Sequence, residues 1–374
     1  MNWANGTHDT EEGDGVPWDL NVDDVERVAI GAGILGTGGG GNPRQGALRA
    51  KMQLAEGLRL RVIGLDELPD DALVVPMGGM GAPTVGIEKM SRGDEGKLAV
   101  RAVENYLGQP VLATVPVEIG GGNSFAPMIA AAQLGLPTVD ADGMGRAFPE
   151  SQMVSYYFDG SSPEFVVMID ALHRKVIIEN VRPTKTLEVI SRAMCVQMGG
   201  TAMVADAPLT LKRLRETCIP NTITHAHRVG DAVMTAQHTG EDPIAAVCNV
   251  TSGRVLYKGK ISDVHRRVER GYNFGHLDLI GLDEWQGSHA DIDLQNEYLI
   301  CRVDGVPIAI VPDLITLVDS ERGTPITTEV VRYGLRVTIL GIPAPEQLKT
   351  EQALQYVGPA AFGYDLPFTP LPPS

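Results

Sequence analysis

The stretch "PVLATVPVEIGGGNSFAPMIAAAQLGLPTVDAD", Pro110–Asp142, decides the fold. Residues 110–119 form a short run rich in valine and isoleucine, the composition of a buried strand. Gly120, Gly121, Gly122 and Asn123 break the run. Pro127 then stands near the first turn of a helix, "PMIAAAQL", which Gly135 ends, and "LPTVDAD" is a further short strand. Strand, helix and strand in that order make a βαβ unit, whose strands lie parallel with the helix on one face of the sheet.

The same alternation extends toward the N-terminus. "LRLRVIGL" (58–65) and "DALVVPMGGM" (71–80) read as strands, and "EGKLAVRAVENYLG" (95–108) carries a helical stripe through Leu98, Ala102 and Leu107 that stops at Gly108. Toward the C-terminus, residues 184–250 are mostly helical: "TKTLEVISRAMCVQM", "APLTLKRLRETC" and "TITHAHRVGDAVMTAQ". From 251 to 345 short β-prone runs alternate with turns such as Asp304-Gly305, the pattern of a small antiparallel barrel or sandwich. Residues 1–17, acidic and glycine-rich, are expected to be disordered. The expected division is an α/β domain over 18–250, a β-rich, barrel-like domain over 251–345, and a tail over 346–374 that packs back.

A second glycine-rich stretch, "IGAGILGTGGGGNP" (30–43), contains Gly31-x-Gly33-x-x-Gly36, the spacing of a dinucleotide fingerprint. That fingerprint requires a strand to feed it, whereas Val22, Val25, Val28, Ala29 and Ala32 are spaced as on a helix capped by Asn21 or Asp23. The glycines therefore fall at a helix C-terminus, the wrong end for phosphate. A helix cap accounts for Gly36. The run Gly38 to Gly41 instead suggests a backbone that a ligand or another chain approaches closely.

The chain has 374 residues, 43% of them hydrophobic, and a formal charge of -16, which repels nucleic acid and anionic membranes. No apolar run reaches the roughly 20 residues of a membrane span, and the polar start "MNWANGTHDTEEGDGVPW" is unlike a signal peptide, so the cytoplasm is the expected location. The four cysteines are far apart and suit buried packing. His225 and His227 diverge if "THAHR" is helical. Neither a G-x-S-x-G elbow nor a P-loop occurs.

Ligands of parallel sheets bind beyond the carboxyl ends of the strands. Two loops follow predicted strands: "MGGMGAPTVGIEKM", with Glu88, and Gly120–Asn123, which opens a helix and so suits an anion. Glu118 ends its strand, Asp140 and Asp142 would share one face of theirs, and Arg146 follows. These carboxylates suit a general base or acid, or a hard metal, and Arg146 a substrate carboxylate. Alternatively Asp140 turns the chain and Arg146 neutralises Asp142. In "QNEYL" and "VPDLI", Asn296, Glu297 and Asp313 are polar groups inside apolar strands and must face a cleft, a partner or each other; hydrogen bonding at a domain interface is the preferred reading.

Taken together, "LGTGGGGNP", "GGMGAPTVGIEKM", "VEIGGGNSFAPMIAAAQLGLPTVDADGMGRAFPE", "QNEYL", "VPDLI" and "GPAAFGYD", in this order, resemble the S-methyl thiohydantoin desulfurase family, formerly a family of unknown function associated with hydantoinase genes. The resemblance implies a three-layer α/β sandwich with a mostly parallel sheet, followed by a β-barrel-like domain. It also implies an activity that replaces the methylthio group of an S-methyl thiohydantoin with oxygen. For that chemistry Glu118, Asp140, Asp142 and Glu88 are the candidate proton-transfer residues. Gly38, Gly39, Gly40, Gly41, Gly121, Gly122, Asn123 and Arg146 are the candidate substrate-binding residues. Alanine at Gly39 and Gly40 is expected to cut turnover and leave the fold intact. The expected partners are a small anionic ring substrate, further copies of the chain in a homo-oligomer, and a hydantoinase-type pathway neighbour. The need for a metal or cofactor stays open, as do two alternatives: a hydrolase of another hydantoin-like ring, and a non-catalytic subunit of a hydantoinase-type enzyme.

Overall fold

The computed structural model describes residues 18–372; the N-terminal segment expected to be disordered lies outside them. The chain begins with β1 (Trp18–Asp19), α1 (Val22–Leu35), α2 (Pro43–Ala55), β2 (Arg61–Ile63), β3 (Leu73–Gly81), α3 (Pro83–Glu88) and α4 (Glu95–Leu107). Then come β4 (Ala113–Pro116), α5 (Phe125–Leu134), β5 (Thr138–Val139), β6 (Ala141–Asp142), β7 (Phe165–Ile169) and β8 (Lys175–Glu179). They are followed by α6 (Thr184–Gln197), β9 (Thr201–Asp206), β10 (Leu209–Thr210), α7 (Leu211–Thr217), β11 (Ile219–Pro220), α8 (Thr222–Thr239) and α9 (Pro243–Thr251).

The first sheet has the order β1-β2-β5-β4-β3-β9-β7-β8, with β10 beside β3. As the βαβ unit demands, β2, β5, β4 and β3 are parallel. Beyond β3 the expectation of a mostly parallel sheet fails. "TAMVAD", hidden among helices in the sequence, forms β9, which runs antiparallel to both β3 and β7. The sheet is therefore mixed. Strand alternation sends Phe165, Val167 and Ile169 into a cluster with Ala99, Val100 and Val103 of α4, and Val166 and Met168 into one with Leu187 and Cys195 of α6. Helices thus cover both faces of β7.

The helix α1 forms where the valine spacing placed it. Asn21 accepts from the Asp23 and Asp24 N–H groups and Asp24 answers to the Asn21 N–H, a capping box. Gly31 lies against the Ala226 carbonyl of α8, and Gly230 of α8 against the Arg27 carbonyl; a Cβ at either would overlap the other helix. The first glycine of the apparent fingerprint therefore serves a close helix crossing.

The remaining strands, β12 (Arg254–Glu269), β13 (Tyr272–Gly281), β14 (His289–Gln295), β15 (Glu297–Val303), β16 (Val306–Ile310), β17 (Leu314–Asp319), β18 (Pro325–Ile326) and β19 (Arg336–Ile342), form an antiparallel sheet ordered β16-β15-β14-β13-β12-β19-β17-β18. Its core includes Tyr257, Leu277, Ile292, Tyr298 and Ile339. After α10 (Glu351–Val357) the tail returns, and Leu371 N–H donates to Asp313 Oδ2 at 2.6 Å. No helix of the described residues is long and apolar enough to cross a membrane.

Candidate functional site

A cavity of about 280 Å³ opens beyond the carboxyl ends of β3 and β4. Its wall includes Gly40 and Gly41, the first turns of α2 with Arg49, the end of β3 from Gly78 to Gly81, and Glu118, Asn123 and Glu297. The second sheet thus contributes to a cavity otherwise built by the first.

Glu118 is buried in this wall. Its Oε1 accepts from Asn123 Nδ2 at 2.5 Å and its Oε2 from the Phe148 N–H at 3.3 Å. Asn123 is anchored in turn: its Oδ1 accepts from the Gly79 N–H at 2.7 Å and its Nδ2 donates to the Gly79 carbonyl at 3.1 Å. Burial pushes the Glu118 carboxyl up to about 8, against the lowering effect of its hydrogen bonds. Gly78 and Gly79 are strand residues, as the reading of 71–80 as a strand expects, and pair with Val204 and Met203 of β9.

The two glycine-rich segments clasp each other. The Gly122 and Asn123 N–H groups donate to the Gly41 and Gly40 carbonyls at 3.0 and 2.9 Å. The expectation that Gly122 and Asn123 bind substrate through backbone amides is therefore corrected: these amides hold the neighbouring loop and the Asn123 side chain holds Glu118, although both residues line the cavity, as Gly121 does not. Gly38 and Gly39 do not line the cavity. Gly38 O accepts from the Thr328 N–H at 2.9 Å, and a Cβ on Gly39 would overlap the Glu297 carboxyl. Gly40 has φ +74 and packs on the Gly120 carbonyl. Alanine at Gly39 or Gly40 would thus disturb the fold, contrary to the sequence expectation. Gly40 and Gly41 do line the cavity, and their N–H groups have no acceptor among the described residues.

Asp140 and Asp142 do not meet on one face, because the chain leaves the strand between β5 and β6. Asp140 Oδ1 accepts from the Ile223 and Thr224 N–H groups at 2.8 and 3.2 Å, and Oδ2 from the Thr224 hydroxyl, which caps α8. Asp142 accepts from the Ile119, Met144 and Gly145 N–H groups. Neither lines the cavity. Burial raises both carboxyls, Asp142 to about 7. Glu88 is exposed at the end of α3 and is also outside the wall.

Arg146 is fully buried and binds no carboxylate. Nε donates to the Ala147 carbonyl, Nη1 to the Pro312 and Asp313 carbonyls, and Nη2 to Thr37 Oγ1 and the Tyr298 carbonyl, at 2.9–3.3 Å. All five N–H groups are engaged. The side chain rivets both sheets together and leaves nothing for a substrate.

Two cavity residues stand outside the expected set. Arg49 has no ion pair among the described residues; it lies on α2, a helix not assigned from sequence. Glu297 is expected from sequence only as a polar group inside an apolar strand, at a domain interface. It is 2% exposed, and its Oε2 has no hydrogen-bond partner. For cations, the described residues bring together one group of the right kind, His276, Asp291 and Asp293 on the second sheet, and Arg302 bridges its two aspartates at 2.6 and 2.8 Å. Glu118, Asp140 and Asp142 are not such a group.

Family models described as the N-terminal and C-terminal domains of S-Me-THD-like proteins match residues 23–180 and 182–371. A crystal structure of a protein from Chromobacterium violaceum, solved by a structural-genomics consortium, is similar over 95% of this chain and 100% of its own, with 22% identity and a TM-score of 0.78. That likeness establishes the fold. No curated protein matches the chain.

Proposed function

The chain belongs to the S-methyl thiohydantoin desulfurase (S-Me-THD-like) family, and we propose that it is a hydrolase that converts an S-methyl thiohydantoin to a hydantoin with release of methanethiol. The observation that carries this reading is Glu118: a buried carboxyl, raised to about 8 and fixed by Asn123, in the wall of a cavity large enough for one small ring.

The substrate ring contains a C=N bond whose carbon bears the methylthio group. Water must form an O–C bond at that carbon, the ring nitrogen must gain a proton, and the C–S bond must then break with its electron pair leaving on sulfur. Glu118, with an affinity for protons close to the working pH, takes a proton from the attacking water. The Gly40 and Gly41 N–H groups, which have no acceptor among the described residues and belong to the cavity wall, serve as donors to the charge that develops. Arg49 holds an anionic arm on the ring, replacing Arg146 in the role expected from sequence. One water is consumed, and hydantoin and methanethiol leave. A hydantoinase-type enzyme is the natural consumer of the first product.

The test is methanethiol release by purified protein from an S-methyl thiohydantoin with a carboxylate arm, with and without chelator. Release at a rate that falls in Glu118→Gln supports the reading. Folded wild-type protein that releases none defeats it.

A further inference from the structure

A buried carboxyl oxygen without a partner is costly, and a fold keeps one where something outside the chain completes it. Glu297, which lines the cavity, carries such an oxygen, Oε2. Its position is imposed from both sides. Asn296, with φ +58, donates its N–H to the Asn273 carbonyl at 2.7 Å and accepts the Asn273 N–H on Oδ1 at 2.8 Å. Tyr298 N–H donates to the Thr37 carbonyl at 2.8 Å. Between these anchors the Glu297 carboxyl rests on Gly39, whose missing side chain makes room for it. A loop that clears space for a carboxyl and offers it no hydrogen bond is shaped for a ligand to supply one.

We propose that Glu297 is the second proton-transfer residue of the cavity, paired with Glu118 and donating to the ring nitrogen of the substrate. The inference rests on the desulfurase reading above. In the first half-reaction Glu118 takes a proton from water as oxygen bonds to the ring carbon. The C=N electron pair moves to nitrogen, which takes the proton of Glu297. In the second, the C–S bond breaks toward sulfur, which takes the proton from Glu118, while Glu297 removes the proton of the new hydroxyl and C=O forms. Both carboxyls return to their starting states, and no other reactant is needed.

The charged groups that face Glu297 are compatible with this. Burial raises its carboxyl well above the usual range and Glu118 raises it further, whereas Arg146 and Arg192 lower it. Arg146 acts at a distance, since its N–H groups are already engaged, and Arg192 is tied to Glu188 at 2.8 Å. Glu297 thus begins the cycle as the acid.

The experiment compares wild type, Glu297→Gln and Glu297→Asp by the pH profile of methanethiol release, and by infrared detection of a protonated carboxyl at neutral pH with and without the hydantoin product as probe. Expected for Glu297→Gln are a loss of about 10²–10⁴-fold in turnover, disappearance of the alkaline limb of the profile, and loss of a carboxyl band that hydantoin shifts in the wild type. Glu297→Asp keeps the alkaline limb at reduced rate. An unchanged profile in Glu297→Gln, or a carboxyl band indifferent to hydantoin, overturns the proposal. Wild type that binds hydantoin with a shifted band and yet releases no methanethiol refutes the desulfurase reaction, and still supports Glu297 as a ligand-facing acid.

Discussion

Asn123 Nδ2 lies 2.5 Å from Glu118 Oε1, and the same amide is pinned through both its polar atoms to the backbone of Gly79 on the next strand. The Glu118 carboxyl therefore points where the sheet dictates. Asn123→Asp would set a second carboxyl against it and raise its proton affinity. The expected outcome is a shift of the acid limb of the rate profile to higher pH, read from kcat/KM against pH. An unmoved limb would mean that Glu118 is not the titrating base.

Glu118→Gln should lower turnover by about 10²–10⁴-fold with little change in KM. It should also stabilise the protein in a pH-dependent way. The folded state prefers the protonated carboxyl, so its contribution is intact below the ordinary value of 4.5 and is lost as pH rises toward about 8. The Tm advantage of the variant over wild type is accordingly expected to widen across that interval. A constant gap would indicate that Glu118 is not buried as described.

Gly41 and Gly40 separate fold from site. A Cβ on Gly41 meets nothing within 4 Å, although φ is +80, so Gly41→Ala should cost about 1–2 kcal/mol and fold. Gly40→Ala combines φ +74 with overlap on the Gly120 carbonyl and should cost about 2–4 kcal/mol. Denaturant melts measure both. Folded Gly41→Ala with undiminished turnover would remove this loop from the substrate's surroundings.

Asp140→Ala should unseat the first turn of α8 and lower stability by about 1–3 kcal/mol, while kcat of the folded fraction stays at the wild-type value. A fall in kcat with unchanged melting would return Asp140 to the chemistry.

Arg49→Ala should raise KM for a substrate with a carboxylate arm by about 10–100-fold, the worth of one charge-assisted hydrogen bond, and leave an analogue with a neutral arm unaffected. Equal effects on both would place the arm elsewhere.

Much of the first sheet was legible because local patterns imposed it. The helix before Gly36, the strand before Gly120 and the helix capped by Gly135 all depend on residues close together in sequence. β9 was not legible, because "TAMVAD" becomes a strand only through pairing with β3 and β7 on either side. Glu118 could be found from its place at a strand end. Asp140, Asp142 and Arg146 share that neighbourhood in sequence, but their partners, the α8 amides, the Gly145 turn and the carbonyls of the second sheet, come from distant parts of the chain. Glu297 did leave a signal, a charged residue in an apolar strand, whose meaning depended on Gly39.

The insertion of β9 also bears on how the molecule is made. When Leu73–Gly81 leaves the ribosome, its neighbour Thr201–Asp206 has not yet been synthesised, and neither has α8, against which α1 must close. The early chain therefore waits with an open strand edge and an uncovered helix face, the conditions under which nascent proteins aggregate or recruit chaperones. The cavity wall is complete only after β9 and Glu297 have been made. A shortened product that stops before β9 would keep that open edge and lack part of the cavity wall.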